Sequence, residues 1–211
     1  MKGMETPAGT TASEHDQHHH HQDHEHHHDG CCTSNTTAVQ SLDELAFERG
    51  LWSAAQKGNL DKMRRLLSSS ASSSKLANLL DSDGYSPLHY AARNGHLEAC
   101  RLLLEEGAEA NVRTPGGGAT PLHRAAFCGH TEVVRLLLER GKADASMLDS
   151  DGNTALHKAA AQGHVSVVRL LLDALQRGEV AAVEVMERRN KRGERAVDVA
   201  KTEEIQKLLR H

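Results

Sequence analysis

The chain is poor in the side chains that usually fill a globular core: of its 211 residues only five are aromatic, one Trp, two Tyr and two Phe. A core without them must be built from Leu, Val and Ala, which suits helices lying close against helices. Cysteine is scarce too. Cys31 and Cys32 are adjacent and Cys100 falls on an apolar helical stripe, so the four cysteines form no disulfide framework and a reducing compartment is expected. No stretch approaches the roughly 18 apolar residues of a membrane span, and Met1 to Thr10 hold no hydrophobic signal core. The expectation is an intracellular protein, cytoplasmic, nuclear or both, without a membrane partner. An excess of positive charge is also missing. Residues 38–211 carry 24 basic and 23 acidic side chains, and the acidity resides in residues 1–37, with one Lys against six carboxylates. Phosphate backbones demand a broad cationic excess, so no nucleic-acid partner is expected.

What the chain has instead is a phrase that returns. Gly84-Tyr85-Ser86-Pro87-Leu88-His89-Tyr90-Ala91-Ala92-Arg93-Asn94-Gly95-His96 recurs from Gly118 to His130 and from Gly152 to His164, where Ala155 replaces the proline. The intervals Gly95 to Gly129 to Gly163 are both 34 residues, a period that marks stacked helix pairs. Ser86, Thr120 and Thr154 occupy N-cap positions, and Pro87 and Pro121 follow where a missing N–H costs nothing. The helix that starts there spans about two turns before Gly95, Gly129 or Gly163 ends it in the left-handed conformation. A second helix then carries apolar residues at +2, +5, +8 and +9 from the glycine. These are Leu97, Cys100, Leu103 and Leu104 in one copy and Val165, Val168, Leu171 and Leu172 in another; the middle copy has Thr131, Val134, Leu137 and Leu138. That spacing predicts one buried face.

The phrase resembles the ankyrin repeat. The resemblance implies an all-α solenoid of about five repeats, counting degenerate terminal caps, each a finger-like turn followed by two antiparallel helices. It also implies that His89, His123 and His157 brace neighbouring repeats through hydroxyl and backbone hydrogen bonds. Evenly spaced histidines on successive layers do not converge on one metal ion.

The expected domain organisation is a disordered, His-rich acidic tail over residues 1–37 and a repeat domain over 38–211, with repeats near 42–80, 81–114, 115–148, 149–187 and 190–211. Nine histidines between His15 and His28 cannot bury enough surface to offset the entropy of ordering. His18, His19, His20, His21, His24, His26, His27 and His28, with Cys31 and Cys32, are candidate metal ligands, though without defined spacing. His24-Glu25-His26-His27-His28 matches the H-E-x-x-H pattern of zinc proteases but lacks the core-anchored helix which that chemistry needs.

Ser41-Leu42-Asp43-Glu44 reads as a capping box, predicting a helix from Leu42 to about Arg49. Leu51 to Gly58 aligns with Leu88 to Gly95 and sets Trp52 at the histidine position of a degenerate first repeat, its exposed end covered by Trp52 and Phe47. The serine run Ser68 to Ser74 reads as a flexible loop, and a second insertion falls between about Asp173 and Val185. Arg188-Arg189-Asn190-Lys191-Arg192 reads either as a nuclear-import or anionic-ligand patch or, favoured by its place on the final turn before Glu194, as a solvated finger, and a helix near Glu203 to Leu209 reads as the C-terminal cap.

In proteins with this repeat the partner surface is usually the fingers together with the residues after the Ala-Ala pair. By position, the resemblance implies partner contacts at Ser82, Asp83, Tyr85, Tyr90, Arg93 and Asn94, then at Gly117, Ala119, Arg124, Phe127 and Cys128, then at Asp151, Asn153, Lys158 and Gln162. Tyr85, Tyr90 and Phe127 are three of the five aromatics, and aromatics with arginines make good anchors, so Phe127 near Tyr90 and Arg93 is the preferred hot spot. The competing reading packs Tyr90 within its own helix pair and lays Phe127 over a neighbouring turn. Pro115-Gly116-Gly117-Gly118 gives the third finger either extra freedom or room for one more residue, and without a following Gly-Lys-Ser/Thr it is no phosphate loop. No acid, base and nucleophile converge, so the expected function is a non-catalytic scaffold or adaptor, monomeric, cofactor-free and bound to a protein partner. The alternative is a metal-binding or metal-responsive role for the His-rich tail.

Overall fold

The computed structural model describes residues 50–68, 73–177 and 182–210. The His-rich tail with its candidate ligands, the capping box at Ser41, the helix expected from Leu42 and Phe47 lie outside the described residues.

Among the described residues all regular structure is helical. The first repeat pairs α1 (Leu51–Gln56) with α2 (Leu60–Ser68), followed by the short α3 (Ser73–Ala77). The second pairs α4 (Pro87–Arg93) with α5 (Leu97–Glu105), and the third α6 (Pro121–Cys128) with α7 (Thr131–Glu139). The fourth pairs α8 (Ala155–Gln162) with the longer α9 (Val165–Arg177), after which come α10 (Ala182–Glu187) and α11 (Glu203–Leu208). Two rows result. The inner row runs α1, α4, α6, α8 and the outer row α2, α5, α7, α9, α11, each helix packing on the equivalent helix of the next layer.

Local chemistry sets each helix pair. Thr120 and Thr154 each accept from the backbone N–H three residues on, and Pro87 and Pro121 open their helices. Gly95, Gly129 and Gly163 follow the inner helices at φ of 74°, 79° and 85°, as the sequence predicts. A second constraint on Gly95 and Gly129 is visible only in the stack. A Cβ at Gly95 would lie 2.6 Å from the ring of His130, and one at Gly129 would lie 2.6 Å from the ring of His164. The glycine thus turns the chain and makes room for a histidine from the next layer.

The core runs through the layers. Leu103, Leu137 and Leu171, at the same register of α5, α7 and α9, are fully buried, each contributing about 2–3 kcal/mol by leaving water. The outer helices bury more than the stripe read from the sequence. Ala99, Val133 and Val167 at +4, and Leu136 and Leu170 at +7, are buried, whereas Leu97, Thr131 and Val165 at +2 and Leu104 and Leu138 at +9 are half-buried. An interior helix has a neighbour on each side, so its apolar face widens toward both at the expense of the stripe's edges.

Both insertions take partly helical form. Ser68 ends α2, and Ser73 and Ser74 open α3, correcting the flexible loop expected there; Ser69 to Ser72 lie outside the described residues. The later insertion lengthens α9 to 13 residues and supplies α10. In the last repeat the inner helix shrinks to a turn held by the Arg195 carbonyl, which accepts from Asp198 and Val199, before α11 closes the outer row.

Candidate interaction surface

The repeated histidines are structural. In each of three layers Nδ1 receives a backbone N–H, from Ser86 to His89 at 3.2 Å and from Thr120 to His123 and Thr154 to His157 at 3.3 Å. An N–H can only donate, so Nδ1 is the bare nitrogen and Nε2 carries the proton. Nε2–H then donates across the layer boundary, to the Ala119 carbonyl at 3.1 Å, the Asn153 carbonyl at 3.0 Å and the Glu194 carbonyl at 3.3 Å. Burial holds all three neutral. It drives the pKa of His89 down to about 4 against the opposing pull of the Ala119 carbonyl, and those of His123 and His157 in the same direction.

A second set of histidines, not singled out in the sequence for this work, ties the layers in the opposite direction. Nε2–H of His96 donates to the Gln56 carbonyl at 2.8 Å, that of His130 to Arg93 at 2.9 Å and that of His164 to Phe127 at 2.9 Å. Each interior layer is therefore bonded forward by one imidazole and backward by another. In the first repeat Trp52 takes the forward role, its indole N–H donating to the Leu79 carbonyl at 3.0 Å. In the last repeat the backbone N–H of Lys201 takes the backward one, donating to the Ala160 carbonyl at 3.0 Å.

The fingers are built by Asx turns and tied to one another. Oδ1 of Asp81 accepts from the N–H groups of Asp83 and Tyr85, Oδ1 of Asp149 from Asp151 and Asn153, and Oδ1 of Asn190 from Arg192 and Glu194. The third finger is one residue longer: Thr114 takes the role with its hydroxyl accepting from Ala119, and the glycines absorb the extra residue. They do not swing freely, because Ser150 bonds the carbonyls of Gly117 and Gly116 at 2.9 and 3.1 Å. The basic run forms the final finger, where Lys191 N–H donates to the Asp151 carbonyl at 2.8 Å and Arg188 pairs with Glu184 at 2.8 Å.

On this frame the partner residues expected from position divide into two groups. Several are engaged internally. Tyr90 donates its hydroxyl to Asp81 at 2.6 Å, the Tyr85 and Tyr90 rings lie 5.7 Å apart, and Arg124 reaches the Tyr85 hydroxyl at 2.7 Å with its guanidinium 5.3 Å from that ring's centre. Desolvation and the Asp81 bond push the Tyr90 phenol upward, so it stays a donor. One layer on, Lys158 pairs with Asp149 at 2.8 Å, and Asn153 donates to Asp149 and accepts from Asn190. Burial opposes ionisation of Asp149, but the Lys158 ammonium and the Asn153 N–H overcome it and hold the carboxyl below its ordinary range. Asp81 and Asp149, which orient Tyr90 and Lys158, are missing from the positional reading; their signal is the acidic residue three places before the finger glycine. Ala119 is buried and its backbone is consumed by Thr114 and His89, which removes it from the contact surface.

The other group faces outward. Ser82, Asp83, Asn94, Gly117 and Asp151 are exposed, and Arg93, Cys128 and Gln162 are half-buried. Asn94 caps its own helix by bonding the Tyr90 carbonyl at 2.8 Å. Phe127 is 45% exposed. Burial raises the Cys128 thiol pKa, while the charges of Arg93 and Arg124 oppose that rise.

Among the described residues no three His, Cys, Asp or Glu side chains stand close enough to hold a metal ion, and no helix is long and apolar enough to cross a membrane. A cleft of about 380 Å³ between α7 and α9 has Leu138, Leu170 and Ala174 in its walls with Glu139 as its one carboxylate.

Comparison with known proteins agrees with this architecture. A family profile of ankyrin repeats, in three copies, matches residues 30–114 and 106–185. The chain is similar to human ankyrin repeat domain-containing protein 39, 49% identical over 75 residues, covering 36% of this chain and 39% of that one. It is similar to bovine ankyrin repeat domain-containing protein 49, 45% identical over 64 residues, or 30% of this chain and 25% of the relative. A probable E3 ubiquitin-protein ligase of rice is 47% identical over 64 residues, only 12% of its own length. The matched stretch thus covers well under half of each relative.

Proposed function

Because the chain belongs to the ankyrin repeat family, we propose that it is a non-catalytic scaffold or adaptor that grips a protein partner through its fingers and inner-helix face. The observation that carries this reading is Phe127, a large apolar side chain left 45% exposed on α6 of the inner row. Catalysis has no support in the same face. The buried imidazoles are committed to the turns and the adjacent layers, and acid–base work would need them accessible and near neutrality in pKa. Proximity labelling or affinity capture with the wild type and with the Phe127→Ala, Arg93→Ala double variant tests the proposal. A defined set of partners should disappear with the variant, and unchanged partner lists would refute this face as the binding surface. In the same proposal the protein acts inside the cell as a monomer, which light scattering on the purified full chain would check.

A further inference from the structure

Two departures from the repeat meet on the outer row. After α5 the left-handed residue is Gly107, at φ 84°, and the next N–H, that of Ala108, returns to the Leu103 carbonyl five residues back. After α7 the equivalent N–H is that of Ala143, which returns to the Leu137 carbonyl six residues back, so this turn holds one extra residue. Gly141 takes the extra place, where a Cβ would lie 2.7 Å from the Leu137 carbonyl oxygen, and the left-handed conformation falls on Lys142 at φ 52°. Among the described residues Lys142 is the one non-glycine at positive φ, a conformation that side chains resist. Asn111 of the preceding layer holds it there, donating to the Lys142 carbonyl at 3.4 Å and accepting from the Asp144 N–H at 2.9 Å. The second departure is the length of α9. Helices α5 and α7 have 9 residues and α9 has 13, so its last turn, Ala174 to Arg177, has no counterpart in α7.

Both departures line the cleft of about 380 Å³ between α7 and α9, Lys142 from the first and Ala174 and Arg177 from the second. Its apolar walls are Leu138, Leu170 and Ala174, and its charged groups are three cations against Glu139. The charges already committed can be named. Arg135 pairs with Glu132 of its own helix at 3.6 Å, both exposed, and the Arg177 Nε–H donates to the Asp173 carbonyl at 3.0 Å. Such an exposed pair contributes little and leaves Arg135 able to exchange partners. Among the described residues no carboxylate stands within ion-pairing distance of Lys142 or Arg177. Glycine at position 142 would relieve the backbone, so this turn gives up stability to keep an ammonium beside the cleft.

We propose that this cleft captures the C-terminal end of a partner chain whose last side chain is aliphatic, the side chain lying against Leu138, Leu170 and Ala174 and the terminal carboxylate meeting Lys142 and Arg177. At a chain end the carboxylate and the side chain branch from one Cα, so an apolar group and a single negative charge arrive together in a cleft of this size. Glu139 narrows the choice: it repels a second carboxylate, which disfavours an acidic run, and it can accept the N–H of the last residue. The cleft lies on the outer row, apart from the inner-helix face proposed above, and the two stand or fall separately.

A pool of synthetic peptides of random sequence with free C-termini, captured on the purified full chain and read by mass spectrometry, tests this. Recovered peptides should end in Leu, Ile, Val or Met. Titrated by fluorescence anisotropy, a recovered peptide should bind about tenfold more weakly once its C-terminus is amidated, and about tenfold more weakly to Lys142→Gly and to Arg177→Glu. Lys142→Gly should melt no lower than the wild type, which separates loss of the ammonium from loss of the fold. Equal binding of the free acid and the amide, equal binding by wild type and both variants, or no recovery from the pool would overturn the proposal. Recovered peptides that keep full affinity for Lys142→Gly yet are lost with Phe127→Ala would belong to the inner-helix face, overturning the cleft while supporting that face.

Discussion

Acid should loosen the stack well before its carboxylates titrate, and the imidazole of His89 sets the size of the effect. Its pKa falls from 6.5 in the unfolded chain to about 4 in the fold, because protonation would place a charge in a buried site and oppose Nδ1 against the Ser86 N–H. The unfolded state therefore binds a proton more readily. Stability is fully present above the unfolded pKa near 6.5 and is lost as pH falls toward about 4. At about 1.4 kcal/mol per pKa unit the loss from His89 alone is about 3 kcal/mol by the bottom of that window. His123 and His157 shift in the same direction for the same reason and add to it. Against a typical total of about 5–15 kcal/mol this is a large share. The perturbation is pH alone, the assay urea unfolding at steps from about pH 7 to about pH 4.5, with imidazole nitrogen shifts followed by NMR. With an m value of about 2 kcal/mol/M, the midpoint should fall by more than about 1 M. Asp149 acts lower: its pKa is depressed below 3.8, so its contribution is lost only as pH falls through that lower value, outside this window. A flat urea midpoint across the window, or a His89 imidazole titrating above about pH 6, would refute the reasoning.

Leu137→Ala should cost about 2–5 kcal/mol in urea unfolding, because the side chain is fully buried between two layers that cannot close over the cavity. Gly129→Ala should lower stability by at least about 1 kcal/mol, since it imposes a side chain at φ 79° and drives it into the His164 ring. Gly116→Ala, with nothing within 4 Å of the added Cβ, is the control and should leave the melting temperature nearly unchanged. Cys100, buried and pushed up to about 12 by desolvation, should resist alkylation in the native protein and react once urea unfolds it, as read by peptide mass spectrometry.

Much of the fold was legible because its signals act over one helical turn. A hydroxyl at Thr120 reaches the N–H of His123 in any such helix, and a glycine at 129 permits a left-handed residue wherever it occurs. The candidate site was legible only as positions. That Tyr90 and Lys158 are held by Asp81 and Asp149, that Ala119 is buried, and that Ser150 ties down the third finger depend on what stands opposite each residue. The +4 and +7 positions of the outer helices were overlooked for the same cause, since a stripe read from one helix assumes one neighbour.

The sequence by itself determined the period and the helix starts and stops, and the family resemblance implied the structural use of the Thr-Pro-Leu-His imidazoles. Each is written in residues close along the chain or in a simple count. Only the tertiary structure decided which carbonyl each imidazole reaches 30 to 40 residues away, why Gly95 and Gly129 must lack a Cβ, and that Phe127 is left 45% exposed. Those outcomes depend on the spacing between adjacent layers, a distance fixed by how their side chains interlock.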